Sequence, residues 1–207
     1  MNNPSRIHDI IQFWFEGVDD QTKINNQKSP FNKWFSGKKD FDDQIRARFE
    51  EDLSNASNGR FKDWEAGAKG CLSLILLFDQ FSRNIYRSTP KMYATDLLAL
   101  KISLKSIQEK FDQRLLLIER VFIYMPLMHS EDILLQEESI RQFEALVVDS
   151  KAKSPYNTHY FENNLLYARR HYEFIKWFGR FPHRNVLLNR PSTNEELEFL
   201  KQKGSSF

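Results

Sequence analysis

The sequence predicts an all-α fold of about 8–9 helices, on three observations. Apolar residues recur at helical spacing along most of the chain, no segment of useful length alternates with period two, and Gly and Pro are scarce, at 7 each in 207 residues. Ile7, Ile10, Ile11 and Trp14 follow Pro4-Ser5 and read as a first helix. Residues 17–38 are polar and broken by Gly17, Pro30 and Gly37, so they read mostly as loop, anchored to the core by Trp34-Phe35. Phe41, Ile45, Phe49 and Leu53 step by four, a one-faced amphipathic helix that stops at Gly59. The run Cys71–Phe78 is apolar all round, and its leucines and helical neighbours favour helix over strand.

Further stripes follow. Tyr93, Leu97, Leu100, Leu104 and Ile107 form one; Leu115, Ile118 and Phe122 form the next, up to Pro126. Ile133, Ile140, Phe143 and Val147, and then Phe161, Leu165, Ala168, Tyr172 and Ile175, complete the set. Thr193-Asn194-Glu195-Glu196 resembles a capping start for a short last helix with Leu197 and Leu200 inward. The length fits a single domain, residues 1–207, with residues 179–192 as a loop rich in polar side chains.

Composition removes several function classes. With 30 Lys+Arg against 28 Asp+Glu, net charge is +2, too even to expect nucleic acid as a partner. A single cysteine, Cys71, excludes an internal disulfide framework and a Cys-rich zinc site. The longest apolar run has eight residues, and the first fifteen show no signal-like pattern, so no membrane segment and a cytoplasmic location are expected. Patterns such as GxxxxGK, GxGxxG, HExxH and GxSxG are absent.

Three polar stretches remain as candidates for chemistry. Asp79-Gln80-Phe81-Ser82-Arg83-Asn84-Ile85-Tyr86-Arg87 follows the most apolar run, and Asp79 and Arg83 stand i,i+4, where they can pair. His129-Ser130-Glu131-Asp132 follows Met125-Pro126-Leu127-Met128; Ser130 reads as an N-cap, with Glu131 and Asp132 at the positive helix end. His129 and these acids do not have diagnostic metal spacing, so neither metal nor cofactor is assigned. The third stretch holds Arg180, His183, Arg184, Asn185 and Arg190 between Gly179 and Pro191. Residues 169–190 carry six Lys/Arg, two His and one acid, and residues 128–149 carry six acids and one Arg. One reading is charge-complementary packing of these segments. The other is a pocket for an anion, because Arg grips carboxylate and phosphate bidentately.

The chain resembles the DUF924 family. The resemblance is carried by Ile11-Gln12-Phe13-Trp14-Phe15, the stretch Leu74–Arg87, Ala94-Thr95-Asp96, Tyr124–Glu131, Phe178–Asn185 and Asn189-Arg190-Pro191-Ser192-Thr193. It implies an all-α fold similar to tetratricopeptide-like arrays of antiparallel helix pairs, and it implies no activity. In such arrays helix ends come together, so the three stretches are expected to meet at one pocket. Gln80, Arg83, Asn84, Arg87, Arg180, Arg184, Asn185 and Arg190 would then bind a small phosphate- or carboxylate-bearing ligand. His129 or His183 would move protons, oriented by Asp79 or Glu131. The alternative is a non-catalytic module that binds an acidic peptide or protein partner.

Overall fold

The computed structural model describes residues 4–206. Helix α1 (Pro4–Phe15) buries Ile10, Trp14 and Phe15. The following loop contains α2 (Phe31–Trp34), whose Trp34 indole donates to the Trp14 carbonyl at 2.8 Å and stacks on the Trp14 ring. Phe35, expected to share that anchoring, is 64% exposed; the loop is held instead by buried Phe31 and Trp34 and by hydrogen bonds of Asp20, Thr22 and Ile24 to Leu117, Ser154 and Asn157. Helix α3 (Lys39–Ser57) buries Phe41, Ile45, Phe49 and Leu53 on one face.

A 3-10 turn at Lys62–Ala66 leads into α4 (Ala68–Ile75). There the helix rides directly over the turn: a Cβ on Gly70 would fall 2.1 Å from the Trp64 carbonyl oxygen, so only glycine fits. The chain then widens into a π-helix, Leu76–Phe81, before α5 (Ser82–Ile85) restores the α pitch. The apolar run is thus helical, and its last turn is the least regular part of it.

Helix α6 (Asp96–Gln108) departs from its expected orientation. Its inward face is Ala99, Ile102, Ser103 and Ser106, and Leu97 and Leu104 are 80% and 40% exposed. The cause is close packing: small residues let α6 approach its neighbours, and the Ser103 hydroxyl donates to the Ile123 carbonyl at 2.5 Å.

Helix α7 (Leu117–Met128) is central. All twelve of its residues are buried, and it continues through Pro126 instead of ending there. Against it pack α4, α6 and the π-helix, together with α8 (Ile133–Lys153) and α9 (Thr158–Phe178). Trp14, Phe15 and Trp34 also reach it, their rings 5.0–5.7 Å from that of Phe122. Helices α8 and α9 form a hairpin closed by a three-residue turn, Pro155–Asn157. The acidic and basic segments are tied by Glu144–Arg169 at 2.8 Å and Glu131–Arg190 at 2.6 Å, so the complementary-charge reading holds in part.

Two helix starts sharpen the sequence expectations. At α8 the N-cap is Asp132, not Ser130; its carboxylate accepts from the amides of Leu134 and Leu135. At α10 (Asn194–Leu200) the capping box forms as expected, but Glu196 and Phe199 face inward and Leu197 is 48% exposed. Gly179 ends α9 in the left-handed conformation, φ +69°, and turns the chain toward the third polar stretch. No described helix is long and apolar enough to cross a membrane.

Candidate functional site

The π-helix places Asp79 and Gln80 inside the protein, with Asp79 only 1% exposed. A π-turn inserts an extra residue into the helical ladder and re-aims side chains, which is why such turns recur at functional sites. The Asp79 carboxylate is 2.7 Å from His129 Nδ1 and 3.0 Å from the Arg83 guanidinium, and it accepts from Gln80 Nε2 at 2.6 Å. Burial by itself would raise the Asp79 pKa. The charges of Arg83 and His129 outweigh burial and hold the carboxyl well below its ordinary value. An ionised Asp79 accepts Nδ1–H, and in the neutral ring that leaves the lone pair on Nε2. His129 stands at the C-terminal end of α7, so both members of the pair are fixed by buried helix.

Arg83 also donates to the Asp79 carbonyl at 2.8 Å and forks onto Asp96, the first residue of α6, at 2.8 and 3.1 Å. Arg184 reaches the same carboxylate from the opposite end of the chain, on the turn Pro182–Arg184. Its Nη1 is 3.6 Å from Asp96, too long for a hydrogen bond. Its guanidinium carbon lies 4.4 Å from the Phe181 ring centre and 4.8 Å from that of Tyr93. Arg83 lies 5.7 Å from the same Tyr93 ring, so the two arginines share one carboxylate and one aromatic platform. Arg184 is 7% exposed, and its buried Nε has no hydrogen-bond partner among the described residues. Burial, and then the neighbouring Arg83 charge, lower its pKa. A buried guanidinium donor left open is costly and wants an acceptor.

Two more histidines adjoin the cluster. The His171 ring is 6.1 Å from that of His129 and 5.5 Å from Phe181; its Nδ1 donates to the Tyr167 carbonyl at 2.8 Å. The His183 ring lies 5.7 Å from that of Phe181. Burial, reinforced by His129, pushes the His171 pKa well below 6.5; burial, reinforced by Arg184, brings His183 down to about 4. The consequence for stability has a definite sign. Above about pH 7 both imidazoles are neutral whether the chain is folded or not. Below 6.5 the unfolded chain takes up protons that the fold excludes, so stability falls as the pH drops toward 4. Urea midpoints measured across this range are expected to decline, and His171→Gln to flatten the slope; an unchanged slope would rule out His171 as its source.

The remaining candidate residues are held elsewhere. Asn84 and Arg87 both bond Asp42 of α3, at 2.7 Å and at 2.5 and 2.8 Å, apart from this cluster. Gln80 supports Asp79 from behind. Arg180 pairs with Glu196 at 2.6 Å and tethers α10. Asn185 is fully buried between Ser192, Glu196 and Arg190. Glu131 accepts the Phe181 amide and both prongs of Arg190, which braces the loop that carries Arg184. The three polar stretches therefore meet, with Asp79, Arg83, His129 and Arg184 at the meeting point and the others around it.

Asp96, Tyr93 and His171 join the cluster although sequence reasoning did not nominate them. Asp96 lay within reach, since it ends the Ala94-Thr95-Asp96 stretch that carries the family resemblance. Tyr93 stands on a helical stripe and reads as core, and His171 enters only as one of the two histidines in the basic segment 169–190. A cleft of about 400 Å³ lies between α1 and α3, lined by His8, Gln12, Gln44 and Arg48 among others, and none of its lining residues belongs to the cluster. Among the described residues, no group of three or more His, Cys, Asp and Glu side chains is placed to hold a metal ion.

Fold and cluster together define an all-helical protein with a buried Asp–His pair beside two arginines that share a carboxylate. The chain belongs to the DUF924 family, described as bacterial protein of unknown function, whose model matches residues 10–204. A solved protein of unknown function from Agrobacterium tumefaciens is similar in structure, with a TM-score of 0.77 and 32% sequence identity over 97% of this chain and 99% of that one. No curated protein matches the sequence.

Proposed function

We propose that the protein binds a small phosphate- or carboxylate-bearing anion at Arg184 and acts on it as an enzyme, with His129 as the acid–base group. The observation that carries this reading is the buried Arg184 guanidinium, whose Nε lacks an acceptor among the described residues. Asp79 supports the catalytic part: it fixes the His129 tautomer and orientation, as a carboxylate does for a general base. Arg83 holds Asp79 and Asp96 in place, and Tyr93 floors the site. The reading takes the protein to work in the cytoplasm.

Native mass spectrometry of freshly purified protein, followed by denaturation to release what is bound, tests the proposal. The expected result is a stoichiometric small anion, lost in Arg184→Ala. With added inorganic phosphate or acetate at a hundredfold excess over Kd, the folded state should gain about 2.7 kcal/mol. A clean mass, together with a thermal midpoint that neither anion moves, sinks the proposal.

One observation favours a second reading, a non-catalytic module for an acidic peptide. The rim is open: the side chains of Arg83, His129 and Asp96 keep 16%, 17% and 21% of their exposure. Leu97 and Val186, next to Asp96 and two residues past Arg184, are each 80% exposed. A peptide C-terminal carboxylate could seat on Arg184 while its side chains cover these residues, an arrangement that tetratricopeptide-like helix pairs would suit. Capture of acidic peptides without turnover of any small anion would favour it.

A further inference from the structure

The charges already present at the cluster narrow the class of ligand, on the footing that the anion reading above holds. Three guanidiniums meet three carboxylates there: Arg83, Arg184 and Arg190 against Asp79, Asp96 and Glu131. Two of the guanidiniums are already engaged. Arg83 bonds Asp79 and, by both prongs, Asp96; Arg190 bonds Glu131 at 2.6 and 3.0 Å. Arg184 differs, because its contact with Asp96 is 3.6 Å and its Nε is open among the described residues.

The site therefore offers one guanidinium with an open donor in a cluster whose formal charges already balance, three against three. A phosphate monoester would bring a second negative charge with no guanidinium left to meet it, close to the ionised Asp79 and to Asp96. A carboxylate brings one charge, and its two oxygens match the fork of a guanidinium. Its arrival leaves the cluster one charge negative, and a single proton on His129 restores neutrality. The groups that surround the His129 ring permit this. Asp79 accepts its Nδ1–H, and Arg83 is bonded to that carboxylate. Of the imidazoles that adjoin it, His171 and His183 are kept neutral by burial.

We infer that the ligand is a monocarboxylate, seated bidentately on Arg184 and bound together with one proton taken up by His129. No covalent step is needed for this; the proton comes from solvent.

Isothermal titration of the full chain with acetate, butyrate, benzoate and inorganic phosphate tests the inference. Each probe is run at about pH 8, where free imidazole is neutral, in two buffers of different ionisation heat. At least one carboxylate is expected to bind about tenfold or more tightly than phosphate. Its apparent heat should differ between buffers by the amount that corresponds to about one proton taken up per site. Arg184→Lys, which keeps the charge but loses the fork, should weaken that carboxylate by about tenfold or more. His129→Asn should abolish the proton uptake. Tighter phosphate binding that depends on Arg184 would overturn the monocarboxylate and leave the anion reading standing. Carboxylate binding without proton uptake would overturn the role given to His129. Binding of none of the probes would overturn both this inference and the reading on which it rests.

Discussion

Asp79→Asn is expected to cost about 3 kcal/mol of folding stability and to lower the thermal midpoint by roughly 6–12 °C. The carboxylate is 1% exposed and faces three donors, on Arg83, His129 and Gln80. An amide of the same size turns one oxygen into an NH2, so a donor meets a donor inside the protein. It also removes the negative charge that compensates a largely buried Arg83. The acid limb should change with it. The Asp79 pKa is held below its ordinary value, so its contribution is full above about pH 4 and is lost as the pH falls below that. The variant lacks that loss, and its stability should decline less steeply in acid. Urea titrations of both proteins at neutral and at low pH measure both effects. A cost below about 1 kcal/mol would mean that the Asp79 network does not hold the site together.

Gly70→Ala should be comparably severe, for a purely steric reason. The added methyl would stand 2.1 Å from the Trp64 carbonyl oxygen and 2.8 Å from its carbon. Those are backbone atoms of a turn whose Trp64 ring is itself buried, so no flexible side chain can move aside. Overpacking of a core typically costs 1–3 kcal/mol, and backbone contact puts this case near about 3. In an ordinary helix the same change would be stabilising, because alanine has the higher helix propensity. The sign of the effect in a denaturant titration therefore decides whether α4 rides on this turn as described.

Which helices exist was readable because the stripes report burial: α3 buries all four residues its spacing names, α9 buries Phe161, Ala168 and Ile175 and half-buries Leu165 and Tyr172, and α8 buries Phe143 and Val147 but leaves Ile133 exposed. Helix α6 shows where that reading stops. Hydropathy ranks Leu97 and Leu104 above Ser103 and Ser106, but a tight helix crossing selects for small size, and the serines win the inward face. The π-turn at Leu76–Phe81 had no signal either. Its residues suit an α-helix, and the widening is set by the surroundings of the turn, not by local propensity. At the site, Asp79 with Arg83 was legible from i,i+4 spacing, and His129 and Arg184 from their place after apolar segments. What a linear reading could not separate was Arg83 from Arg87, or Arg184 from Arg190. Each arginine has a plausible acid nearby, and only the fold decides which of them is left with an open donor.

The enclosure of α7 also sets a schedule for synthesis. Phe122, on which the rings of Trp14, Phe15 and Trp34 rest, lies 108 residues beyond Trp14 in the chain. A nascent chain that has delivered α1 through α5 can already pack Trp14 on Trp34, Phe41 and Phe81, but the side of these rings that rests on Phe122 stays uncovered. Closure waits until α7 has left the ribosome, and α8 and α9 must follow before the far side of α7 is covered. The long interval is one of high loop-closure entropy and exposed tryptophan. The core is consequently completed late, around a helix made past the midpoint of the chain.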